Sequence, residues 1–168
     1  MEKEPRIRYN ADMKILGIDP GTSLIGWGII DGQVAVDFGV FRTQSNIPNR
    51  ERVKAIFDFF IKLIKKYKPD VVALEKLFFF KNAKTVMEVS EIRGVLLLAA
   101  AQSGLETREF TPLQVKQAIS GYGRADKNQV GRMVAMILGL NAPPKPDDAA
   151  DALALALCCA NTVRYSTL

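Results

Sequence analysis

The chain has 168 residues, 48% of them apolar and 24% charged, with a formal net charge of +5; this is one domain with enough apolar material for a true core, not a disordered or fibrous chain. No apolar run is long enough to cross a membrane, and residues 1–12, MEKEPRIRYNAD, lack the apolar centre of an export signal, so a cytoplasmic protein is expected, with a polyanion as a natural partner. Histidine is absent, and the two cysteines, Cys158 and Cys159, are adjacent; this excludes His-based triads, His-ligated zinc, a zinc knuckle and a disulfide framework, and leaves chemistry to carboxylates.

Residues 1–12 read as an N-terminal extension, expected to be poorly ordered, ahead of a single domain over 13–168. Ile15 to Asp19 reads as a first strand, and Ser23 to Ile30 as a second with Gly26, Trp27 and Gly28 inside it. Asp31-Gly32 is a strong hairpin signal, so Gln33 to Arg42 follows as an antiparallel third strand. From Asn49 to Tyr67 the period changes. Val53, Ile56, Phe57, Phe60, Ile61 and Ile64 fall on one helical face, with Lys54, Asp58, Lys62 and Lys65 opposite. Val71 to Glu75 is a short buried strand, reached through a helix and so suited to parallel pairing. Thr85 to Gln102 is a helix whose second half, VLLLAAA, is apolar all round, which calls for burial within the domain or against another subunit.

Glu106 to Phe110 is a further strand. Thr111-Pro112 opens a helix with a cap and an N1 proline. Gly121-Tyr122-Gly123-Arg124 breaks it, Asp126 caps the helix Lys127 to Leu138, and Gly139 ends that helix. After NAPPKP, Asp147 or Asp148 caps a last helix, DDAADALALALCCA. Three hairpin strands followed by alternating helices and strands give an α/β fold with a mixed sheet flanked by helices.

Acids fall at the ends of these elements. Asp19 closes the first strand and Glu75 closes VVALE. Asp148 and Asp151 share a face of the last helix. Each has an ordinary use: a turn aspartate before Pro-Gly, an exposed strand end, a helix cap, a first-turn acid. Strands one and four could be neighbours, and open α/β sheets gather ligands at strand C-terminal ends. Four acids meeting there would repel one another unless a hard divalent cation, Mg²⁺ or Mn²⁺, held them. Two such ions ~3.5–4 Å apart are the arrangement that cleaves phosphodiesters.

ILGIDPGTSLIGWGII, VVALEKLFFFKNAKT, ISGYGRADKNQV and DDAADALALAL together resemble the RuvC family of Holliday-junction resolvases, in order and spacing, from Met13 to Ala160. The resemblance implies a ribonuclease H-like fold with a five-stranded mixed sheet. It also implies a homodimer that nicks opposing strands of a four-way DNA junction with Mg²⁺, in recombination and repair, in company with a branch-migration helicase complex. It implies that Asp19, Glu75, Asp148 and Asp151 are the catalytic, metal-binding acids. Some members carry a histidine in the last cluster, where this chain has only aspartates. By the same resemblance Phe78 stacks on bases at the crossover, Lys116 and Lys127 contact DNA backbone, and Lys81, Lys84 and Arg124 extend the basic surface.

Three other readings compete. GIDPGTS resembles the first phosphate loop of actin- and sugar-kinase-like ATPases, but the chain has no second such turn and is short for two lobes. A non-catalytic nucleic-acid-binding module on the same fold would not need all four acids. Another ribonuclease H-like nuclease, acting on RNA or hybrids, would use the same chemistry.

Overall fold

The computed structural model describes residues 13–44, 46–77 and 83–165. The strands are β1 (Lys14–Pro20), β2 (Leu24–Asp31), β3 (Val34–Arg42), β4 (Val71–Glu75) and β5 (Glu106–Phe110). The helices are α1 (Asn49–Tyr67), α2 (Ala83–Gln102), α3 (Pro112–Ser120), α4 (Lys127–Ile137) and α5 (Asp147–Tyr165). The expected elements are all present, most ends shifted by a residue or two, with α5 running five residues beyond the expected Ala160.

The sheet runs β3-β2-β1-β4-β5. The first three strands form an antiparallel meander turned at Gly32, whose φ of 61° suits the hairpin. β4 joins β1 in parallel, and β5 joins β4 in parallel. This is the ribonuclease H-like arrangement, a five-stranded mixed sheet with helices on both faces.

Strand alternation sorts the core into two layers. Leu16, Ile18, Ile25, Ile29, Val72 and Leu74 face α1 and α2, where Ile56, Phe60, Ile92 and Leu96 meet them. Ile15, Ile30, Val71 and Ala73 face α5, backed by α3 and α4. α5 is buried almost all round from Ala152 to Ala160, which is why its sequence lacks a polar face. Cys158 and Cys159 lie in this buried stretch as free thiols, and burial pushes both up to about 11. They are inert packing residues.

α5 approaches the sheet at backbone distance. A Cβ on Gly17 would lie 2.0 Å from the Ala152 carbonyl oxygen, and one on Gly28 would lie 2.7 Å from the Leu153 side chain. Glycine inside a strand marks such an approach.

α2 is buried on one side only. Ile92, Leu96, Ala99 and Ala100 pack inward, whereas Met87 and Leu98 are exposed; its apolar circumference is thus not consumed within the domain. Among the described residues, no helix is long and apolar enough to cross a membrane.

Candidate active site

Asp19 and Glu75 reach the same place by register. β1 and β4 are parallel with Ile18 opposite Leu74, so the next residue of each strand is an acid. Alternation turns both away from the α1–α2 layer that buries Ile18 and Leu74, toward α5. α5 then supplies Asp148 and Asp151 from its first turns. The backbone of Asp148 presses on β2, where a Cβ on Gly26 would come within 2.0 Å of the Asp148 carbonyl oxygen.

A cleft of about 380 Å³ opens at this sheet end, lined by Asp19, Glu75 and Asp151, by Lys116 and Lys127, and by the apolar walls Val115, Val130 and Leu155. Asp148 stands outside the lining, yet its charge acts on Asp19.

The electrostatics are those of crowded acids. Burial, then the charges of Glu75, Asp151 and Asp148, push Asp19 up to about 8 against the opposing pull of Lys127. Glu75 is raised by burial and then by Asp151. Asp151 is raised chiefly by burial, with Lys127 pulling the other way. Lys127 Nζ donates to Asp151 Oδ2 at 3.2 Å, and Asp151 foremost raises the lysine's pKa.

Asp147 has a separate role. It is exposed, begins α5, and accepts a hydrogen bond from Lys145 Nζ at 2.6 Å, which holds its carboxyl below the usual range. Its carboxylate serves Lys145, where sequence reasoning offered Asp147 or Asp148 as the helix cap.

Oxygen-only donors from three elements, with more negative charge than one ammonium offsets, fit a hard divalent cation. Among the described residues no three acids are gathered closely enough to form a ready cage; Asp151 is engaged by Lys127 instead.

The structure brings Asp19, Glu75 and Asp151 to one cleft with Lys116 and Lys127, as their spacing alone could not require. Arg124 is exposed in the α3–α4 turn and does not line the cleft. Lys84, on α2, is likewise exposed. Phe78 and Lys81 lie outside the described residues, as does the 1–12 extension. Sequence reasoning missed the Lys127–Asp151 pair, for which an isolated lysine at a helix start gives no signal. It also missed the seating of α5, although the glycines of β1 and β2 were a readable sign of it.

The family model described as crossover junction endodeoxyribonuclease RuvC matches residues 15–159. A protein of that name from Halothermothrix orenii is 50% identical over 158 residues, covering 92% of this chain and 96% of its own length. Another from Fusobacterium nucleatum is 48% identical, covering 90% and 82% respectively. The solved structure of T. thermophilus RuvC in complex with Holliday junction substrate superposes with a TM-score of 0.89 at 35% identity, covering 92% of this chain and 97% of that one.

Proposed function

The chain belongs to the RuvC family of crossover junction endodeoxyribonucleases, and we propose that it resolves four-way DNA junctions by paired nicks through the carboxylates at the β1–β4 end of its sheet. The observation that carries this reading is the convergence of Asp19, Glu75 and Asp151 with two lysines on one cleft. It is an endodeoxyribonuclease of DNA recombination and repair, and the T. thermophilus relative solved with a Holliday junction supports that substrate for this chain.

Asp19, Glu75, Asp148 and Asp151 would hold Mg²⁺, with Mn²⁺ as a substitute and two ions during cleavage. Such ions polarise a phosphodiester, activate water and stabilise the leaving oxygen. The chain's own contribution is positional. The parallel register fixes Asp19 beside Glu75, and the glycine-seated α5 brings Asp151 to the same cleft, with Asp148 near enough for its charge to act on Asp19. The apolar walls Val115, Val130 and Leu155 limit water around the reacting phosphate. Lys116 meets backbone phosphate electrostatically, without reading sequence. Phe78, Lys81 and Arg124 extend the DNA surface, with Phe78 stacking at the crossover, where such contacts are worth ~1–3 kcal/mol per base.

Paired nicks require two sites, hence a homodimer. Met87 and Leu98, two exposed apolar side chains eleven residues apart on one face of α2, support a partner there. A branch-migration helicase complex would present the junction, and the protein would act in the cytoplasm.

The test is a nicking assay on four-way junctions, linear duplex and RNA–DNA hybrid, with and without Mg²⁺. Symmetric nicks confined to the junction and dependent on Mg²⁺ are expected. Equal cleavage of the hybrid would sink junction selectivity.

A further inference from the structure

The capping box at the start of α4 fixes where Lys127 begins. Asp126 accepts from the Gln129 amide, and Gln129 answers to the Asp126 amide, so the first helical residue stands at the rim of the cleft. From there its ammonium crosses to Asp151 on α5, and its charge also acts on Asp19 and Asp148. It therefore supplies positive charge to carboxylates that are partly buried, which are costly without a counter-ion.

The bond is open to water. The lysine side chain is 72% exposed against 30% for Asp151, and ion pairs this open to water are weak. A divalent cation brings twice the charge to the same oxygens and replaces several weak attractions at once. The flexible stem of lysine has solvent on one side of the cleft to move into.

We propose that Lys127 is the resident counter-cation of the acid cluster, displaced from Asp151 when a divalent ion binds and thereby released to the DNA backbone. Ion loading and contact with the substrate strand are then exchanged at one side chain. With the ion absent, Asp151 holds the ammonium and Lys127 adds little to DNA binding. With the ion present, the ammonium is free as phosphate arrives. This rests on the metal-dependent reading of the site, and the experiment separates the two.

Mg²⁺ binding is measured by calorimetry on the wild type, Lys127→Met, Lys127→Gln and Asp19→Asn, each checked by thermal melt. Removing the competing ammonium is expected to tighten Mg²⁺ binding by roughly 5-fold in both lysine variants, the scale of one weak ion pair. In parallel, the salt dependence of junction binding is compared in EDTA and in Ca²⁺. The wild type is expected to gain about one phosphate contact with Ca²⁺ relative to Lys127→Met. Unchanged or weaker Mg²⁺ binding in both lysine variants, with Asp19→Asn losing it, overturns the exchange and leaves the metal site standing. Full Mg²⁺ binding by Asp19→Asn overturns the metal site itself and the exchange with it.

Discussion

Gly26 lies directly beneath the backbone of Asp148, so close that a methyl group on it would come within 2.0 Å of the Asp148 carbonyl oxygen. One strand residue without a side chain thus sets the height at which a helix of the candidate site rests on the sheet. Gly26→Ala must lift the start of α5, because backbone cannot yield as a flexible side chain can. Overpacking of this kind costs at least about 2 kcal/mol, which a denaturant melt would register. Nicking should fall further than junction binding, since Asp148 and Asp151 move while the lysines of α3 and α4 stay. Equal loss of both would show that α5 is not what aligns the acids.

The pH dependence of the ion-free protein follows from the same crowding. Asp19 is raised to about 8, and Glu75 and Asp151 are raised as well. In the unfolded chain these acids titrate near ~4. Between that range and about pH 8 the folded protein binds more protons than the unfolded chain, so its stability falls as pH rises. Lys127, raised above its usual value, contributes across this window and loses its effect only above it. In EDTA the melting temperature should therefore drop from pH 5 to pH 8. Mg²⁺ should recover more of it at pH 8, and Asp19→Asn should flatten the slope. A melting temperature that rises with pH in EDTA would contradict the burial of these carboxylates.

The sheet was legible because each of its signals is local. Asp31-Gly32 announces a hairpin, VVALE a strand buried on both faces, and Thr111-Pro112 a helix start. The convergence of acids was half legible. Strand ends pointed to one edge of the sheet, but only the pairing of Ile18 with Leu74 sets Asp19 beside Glu75, and register is a tertiary property. The reading of VLLLAAA left open burial within the domain or against another subunit, because composition reports how apolar a helix is and not which neighbours cover it. The Lys127–Asp151 pair joins residues 24 positions apart through the packing of α4 on α5, and no spacing in the sequence encodes it.

Lys116 lines the cleft but is not the ammonium bonded to Asp151, and under the proposed function it meets the DNA backbone. Lys116→Ala should weaken binding to junctions of any sequence and lower the slope of log K against log salt by about one contact. Filter binding at several salt concentrations in Ca²⁺ would measure it. A slope equal to that of the wild type would return Lys116 to the solvated surface.

Asp147 and Asp148 are neighbours with opposite surroundings. Spacing does not separate them, since positions 147 and 148 both share a helical face with Asp151. The structure does. Asp147 is exposed and its carboxylate is taken by Lys145, which pulls its pKa down. Asp148 is half-buried, its backbone is pinned by Gly26, and its charge raises Asp19. A carboxylate that strains a neighbouring acid is one that a shared cation would relieve, whereas one already paired with lysine at the surface has no such demand. Asp148→Asn should therefore lose Mg²⁺-dependent nicking while keeping junction binding. Asp147→Asn should nick as the wild type does and melt within experimental error of it, because an exposed pair contributes little and asparagine suits a helix start. Single-turnover cleavage of one four-way junction by the two variants decides the matter. Activity in Asp148→Asn with none in Asp147→Asn would mean that α5 presents the other aspartate to the cleft.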